Sequence, residues 1–143
     1  DNFQLRNSHV IPALIRKFHE AKMSNSNKVE AWGTGRPTRD FIYIEDAVDC
    51  VLLAAMNYNS SDIINISTGT ETSIKSLTET VQKVVGFEGK VNWDTSKPDG
   101  QLEKIFAVEK MHRILKFIPV VELREGIEKT YSWFLENSHD VRL

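Results

Sequence analysis

The chain has 143 residues, 41% of them apolar and 27% charged, a composition suited to one soluble globular domain or part of a larger one. A net charge of −2 supplies no basic field for nucleic acid and no polybasic patch for a membrane surface, so neither is an expected partner. The single cysteine, Cys50, excludes an internal disulfide and a cysteine-built metal site, which points to a reducing cytoplasm and to no bound metal.

In chain order, residues 1–7 read as a loop, and the opening on Asp1 without a methionine suggests an excised segment. Ser8 is the expected N-cap of a helix reaching about Lys22, with Pro12 in the first turn, where its missing N–H costs little. That helix carries two apolar stripes about 100° apart. Ile11, Ile15 and Phe18 form one; Val10 and Leu14 form the other, which ends in the cation Lys17. Ser24 to Asn27 is a polar loop, and Lys28–Trp32 and Thr38–Ile44 read as strands around a Gly33–Pro37 turn.

Asp46 is the expected start of a helix to about Asn57. Its apolar positions go nearly all round, as in a helix covered on several sides, and Cys50 within it reads as a plain buried thiol. Ile63–Ser67 reads as a short strand. Thr72 or Ser73 caps an amphipathic helix of Ile74, Leu77, Val81 and Val84 or Val85 that stops at Gly86. Lys90–Thr95 alternates as a strand and runs into the polar loop Ser96–Gln101. A helix near Glu109–Leu115 follows, and the last helix places Leu123, Ile127, Tyr131 and Phe134 on one face. Short strands interleaved with helices predict an α/β arrangement. No apolar run approaches the ~20 residues of a membrane span, and nothing at the start reads as a signal peptide.

Several segments carry a resemblance that spans essentially the whole chain. Asn7-Ser-His-Val-Ile-Pro-Ala-Leu14, Trp32-Gly-Thr-Gly35, Arg39-Asp-Phe-Ile-Tyr-Ile-Glu-Asp46, Ile64-Asn-Ile-Ser-Thr-Gly69, Lys97-Pro-Asp-Gly100 and Tyr131-Ser-Trp-Phe-Leu-Glu-Asn137 occur in the order of one family. They resemble the GDP-L-fucose synthase family, epimerase-reductases among the extended short-chain dehydrogenases/reductases. The Arg39 to Asp46 pattern is shared widely by extended reductases and epimerases; the first and the Lys97 segments point more narrowly to this branch.

Two family features have no counterpart here. No Gly-x-x-Gly-x-x-Gly turn joins a strand to a helix to hold a pyrophosphate at a helix N-terminus. No Tyr-x-x-x-Lys pair occurs, since Tyr43, Tyr58 and Tyr131 are followed four positions on by Ala47, Asp62 and Leu135. The resemblance therefore implies the small carboxy-terminal, substrate-binding domain alone over 1–143, with the Rossmann domain absent and NADP(H) bound mainly by the absent N-terminal part.

The resemblance also implies roles for individual residues. His9 is the family's acid/base in epimerisation and lies beside the nicotinamide, so it counts as both catalytic and cofactor-binding; without the resemblance it reads as an exposed first-turn histidine. An imidazole at this position can pass protons either way, as epimerisation requires. Val10, Leu14 and Lys17 match positions lining the substrate pocket, Lys17 standing where arginine is usual and offering a point charge in place of a bidentate fork. Arg39 matches a diphosphate-binding arginine, with a strand-edge surface arginine as the plain alternative. Trp32 offers a ring face to a base or sugar, although a strand tryptophan by itself is more often core. Lys97 and Asp99 match a loop reaching the nucleotide end of the substrate; unassisted, Lys-Pro-Asp-Gly is a turn. Arg36 reads as solvated, Trp93, Trp133 and Phe134 as core, and His19, His112 and His139, which have no partners at ligand spacing, as surface residues.

The implied substrate is a GDP-sugar, the whole enzyme converting GDP-4-keto-6-deoxy-mannose to GDP-L-fucose with NADPH. The implied assembly is a homodimer of the full-length protein, with self-association of the isolated chain through its uncovered helix. Alternatives from the sequence are another nucleotide-sugar epimerase or dehydratase, and a non-catalytic binding or assembly module on the same fold.

Overall fold

A computed structural model describes residues 2–5 and 7–138. Five helices and five short strands follow in the order α1 (Val10–Met23), β1 (Lys28–Trp32), β2 (Thr38–Arg39), α2 (Ile44–Asn57), β3 (Thr72–Ser73), α3 (Ile74–Val85), β4 (Lys90–Asp94), β5 (Glu103–Lys104), α4 (Glu109–Leu115) and α5 (Leu123–Asn137). The α/β class is as expected.

The strands form two small sheets. β1 pairs in parallel with β4, in a register that runs from Lys28 opposite Lys90 to Trp32 opposite Asp94. β2 lies between β3, antiparallel to it, and β5, parallel to it. The two expected strands around the Gly33–Pro37 turn thus belong to different sheets.

The main core lies between α1, α3, α5 and β1. Ile15 and Phe18 of α1, Leu77 and Val81 of α3 and Ile127 of α5 are essentially sealed from solvent, joined by Val29 of β1 and by Phe3 against Phe134. α3 reaches this core because Leu77, Val81 and Val85 recur at i, i+4 and i+8. Its start is capped by the Ser73 hydroxyl, which accepts from the Ser76 N–H (3.0 Å). Its end is set by Gly86 at φ +71°, where only glycine turns left-handed without strain. A second, smaller cluster joins Cys50 of α2 to Val108, Met111 and Leu115 around α4, so the buried-thiol expectation holds.

α2 meets that cluster with one face only. Asp46 and Cys50 are its buried residues, while Val48, Val51, Leu52 and Met56 are between 47% and 80% exposed. The Asp46 carboxylate accepts from the N–H groups of Val120 (3.0 Å) and Val121 (2.9 Å), tying α2 to the segment before α5.

Several local expectations change. The cap of α1 falls on His9, because Ser8 is drawn into a turn in which its N–H donates to the Gln4 carbonyl (2.8 Å); the Ser8 hydroxyl makes no hydrogen bond. The Thr38–Ile44 strand shrinks to two residues. Asp40 turns its carboxylate onto the Thr68 and Gly69 N–H groups (3.1 and 2.9 Å), and α2 begins at Ile44, two residues before Asp46. In Ile63–Ser67 the alternation holds only at the start, Ile63 pointing out and Ile64 and Ile66 packing on the second cluster, while Ser67 is buried as well. No strand pairs with this segment among the described residues, so it forms no ladder. Trp133 is 49% exposed, lying outside the core and over the Phe3 ring.

His19 and His112 are not surface residues. His112 is half-buried, with its Nε2 shielded from solvent and unbonded. His19 sits under α5, its Nδ1 3.1 Å from the Tyr131 hydroxyl and its ring edge-on to Phe134. His139 lies outside the described residues. Burial lowers the His19 pKa, Glu20 opposing and Lys22 adding to the effect. Such an imidazole stays neutral in the fold while the unfolded chain protonates near its ordinary value of 6.5. Its contribution is therefore complete above that value and is lost as the pH falls toward the lowered folded value. Urea midpoints compared at about pH 7.5 and about pH 5.5 are expected to drop more for the unaltered chain than for His19→Gln. An equal drop would assign the acid sensitivity elsewhere.

Candidate functional site

One pocket, of roughly 270 Å³, is built where α1 crosses the C-terminal end of β1. Val10, Leu14 and Lys17 supply one wall from α1, Ala31 and Trp32 another from β1, and Ile74, Thr78 and Trp93 a third from α3 and β4, with Leu5 and Ser8 also in the lining. The α1 stripe that ends in a cation thus faces a cavity. The other, Ile15 and Phe18 with Ile11 against it, faces the core.

Alternation along β1 sends Val29 and Ala31 inward and leaves Trp32 outward, 57% exposed. Its ring collects cations. The Lys17 ammonium lies 5.2 Å from the ring centroid and the Lys97 ammonium 5.8 Å, both within cation–π range. Lys17 also donates to the Glu30 carbonyl (3.0 Å). Its partial burial lowers its pKa, opposed by the charge of Glu30.

The loop after β4 forms the outer rim, stitched to the turn after β1. Gly33 N–H donates to the Asp94 carbonyl (2.9 Å), and Thr38 N–H to that of Leu102 (2.8 Å). Both Asp99 oxygens are taken by Thr34, one by its N–H (2.6 Å) and one by its hydroxyl (2.7 Å). Arg39 donates through one nitrogen, Nη1, to the carbonyls of Thr38 (2.6 Å) and Gln101 (2.7 Å), which leaves the rest of its guanidinium without a bond among the described residues. Arg36 is exposed, as expected.

Val10, Leu14, Lys17 and Trp32 therefore line one pocket, with Lys97 at its rim. Arg39 and Asp99 stand on the adjoining rim and are no part of its lining. His9 is exposed between the lining residues Ser8 and Val10. Sequence reasoning placed Trp93 in the core, whereas it is half-buried and walls the pocket; its indole fills the space a side chain on Gly35 would need. Thr34 was missed altogether, the only available signal being its position between two glycines. Among the described residues no three His, Cys, Asp or Glu side chains gather as a metal site, and no helix is long and apolar enough to cross a membrane.

The pocket can hold a flat or apolar group against the Trp32 and Trp93 rings with ammonium groups at its edge. The model of the NAD dependent epimerase/dehydratase family matches residues 1–67. A probable GDP-L-fucose synthase from Oryza sativa is 47% identical over 96% of this chain, and the GDP-L-fucose synthase of Escherichia coli 40% identical over 99%. A crystal structure of a GDP-L-fucose synthetase from Naegleria fowleri bound to NADP superposes over the whole chain with a TM-score of 0.94 at 32% identity. These matches make the chain similar to NAD dependent epimerase/dehydratase proteins.

The chain corresponds to a carboxy-terminal portion of these family members and spans 42–47% of the length of each. The family uses NAD(P), but the described residues do not fit a dinucleotide. β1 runs through its Gly-Thr-Gly into Pro37 and another strand, with no glycine-rich turn opening a helix whose N–H groups could take a pyrophosphate.

Proposed function

We propose that this chain is the substrate-binding domain of a GDP-L-fucose synthase, and that the pocket beside Trp32 takes the GDP-sugar. The observation that carries this is the exposed Trp32 ring with the Lys17 and Lys97 ammonium groups over it. A purine has a face for an indole, and a diphosphate has oxygens for the cations. Lys17, Lys97 and Arg39 would hold the diphosphate and Val10 and Leu14 would contact the substrate, with His9 next to them as the proton shuttle of the 3,5-epimerisation. The 4-reduction by NADPH belongs to a cofactor domain outside this chain, and the chain by itself is expected to give no product in an NADPH turnover assay.

The exposed Val48, Val51, Leu52 and Met56 face of α2 supports the same division of labour. The cofactor domain would cover that face in a homodimeric whole enzyme, and copies of the chain alone would associate through it, which light scattering would detect. The single buried thiol suits a cytoplasmic location.

Titration of the chain with GDP, UDP and dTDP tests the proposal: GDP should bind tightest. Equal or tighter binding of UDP or dTDP would favour another nucleotide-sugar epimerase or dehydratase. His9→Ala in the full-length protein, if it left epimerisation unchanged, would remove His9 from the chemistry and favour a non-catalytic module.

A further inference from the structure

We infer that Thr34 is a positioning residue, which acts through Asp99 to latch the rim loop to the turn after β1 and so sets the Lys97 ammonium over the Trp32 ring. The ligand of the latched site rests on the nucleotide-sugar proposal above; the latch itself does not.

Both oxygens of the Asp99 carboxylate are consumed by one residue, the N–H and hydroxyl of Thr34 (2.6 and 2.7 Å). A carboxylate so occupied has little left for a substrate donor, and its charge would repel a diphosphate. Thr34 also accepts from the Arg36 N–H (3.2 Å), so one hydroxyl fixes its own turn and the facing loop together. Gly33 stands at φ +77°, and a Cβ there would collide with the Asp99 carboxylate, so the approach of loop to turn is as close as glycine permits. The two Thr34 bonds hold the Asp99 carboxyl below the usual carboxylate range, with the Arg36 charge in the same direction.

Lys97 lies two residues before Asp99. Among the described residues its side chain makes no hydrogen bond or ion pair; its ammonium approaches the Trp32 ring at 5.8 Å and acts on the Asp94 carboxylate through its charge. What places its ammonium is therefore the course of the loop. One side of the loop is fixed by the Asp94 turn, where the Lys97 N–H donates to the Asp94 carbonyl (3.2 Å) and Ser96 donates to the Asp94 carboxylate; the other is fixed by the Asp99 bonds to Thr34.

The sign of one substitution separates latch from simple electrostatics. Removing the Asp99 charge should tighten binding of an anion if Asp99 acts only as a nearby charge; if it acts as a latch, binding should weaken. Thr34→Val, Thr34→Ser and Asp99→Ala, in this chain, are compared by GDP titration and by the indole N–H resonance of Trp32 without ligand. The latch is expected to give about fivefold weaker GDP binding in Thr34→Val and Asp99→Ala, the worth of one positioned cation, with recovery in Thr34→Ser. The Trp32 resonance should move in the two weakened variants, while that of Trp133, on α5, stays in place as a folding control. Unchanged or tighter GDP binding with an unmoved Trp32 resonance in Thr34→Val would overturn the latch, whether or not Asp99→Ala folds. If the unaltered chain binds no GDP, the nucleotide proposal fails, and the Trp32 resonance decides the latch: movement in Thr34→Val but not Thr34→Ser supports it, and no movement overturns it.

Discussion

Phe18→Ala is expected to lower the unfolding free energy by about 3–5 kcal/mol, the usual cost of emptying an aromatic site in a core that relaxes only partly. Phe18 has no solvent exposure and meets Phe87 at 5.5 Å between ring centroids, inside the cluster that joins α1 to α3, α5 and β1. Against a total stability of about 5–15 kcal/mol for an ordinary domain, that loss takes a large share. It should also weaken the pocket, since the helix that Phe18 anchors carries Val10, Leu14 and Lys17 on its other stripe. Val48→Ala is the matched control on the exposed face of α2 and should stay within about 0.5 kcal/mol. Urea unfolding of the two variants checks this, and a loss below about 1 kcal/mol for Phe18→Ala would mean that α1 does not anchor the fold.

Trp32→Ala is expected to weaken GDP binding about five- to hundredfold, the range for losing one base–aromatic stack. Trp32 is 57% exposed, so the substitution should leave urea unfolding nearly unchanged, unlike Phe18→Ala. Trp133→Ala supplies the contrast, because its ring lies over Phe3 and lines no part of the pocket. Calorimetric titration separates the two, and unaltered GDP affinity in Trp32→Ala would remove the ring from the site.

What was legible in the sequence follows the length of the pattern. α3 could be read almost in full, through Leu77 and Val81 to Gly86, because its signals are local; the structure chose Ser73 over Thr72 as the cap and Val85 over Val84 as the buried residue. The Val10, Leu14, Lys17 stripe was legible for the same reason: helical spacing alone puts the three on one face. β2, β3 and β5 have two residues each, too few for a period to show, and they exist only through pairing with segments distant in the chain. Ile63–Ser67 shows the converse, a strand-like sequence with no partner to make it a strand. Trp93 was misplaced because its neighbours are set by the parallel register with β1, where it stands opposite Ala31. The Asp99–Thr34 bonds, likewise, join two loops that each read only as turns. The family resemblance pointed to Val10, Leu14 and Lys17 of the pocket but not to Ile74, Thr78 or Trp93, which the fold brought to it.

The most direct test of a nucleotide-sugar pocket beside Trp32 is to follow the indole N–H resonances of the three tryptophans while GDP is added to the chain. The expected result is saturable movement of Trp32 and Trp93, the two that line the pocket, with Trp133 unmoved. Stationary Trp32 and Trp93 resonances at saturating GDP, or movement centred on Trp133, would contradict it.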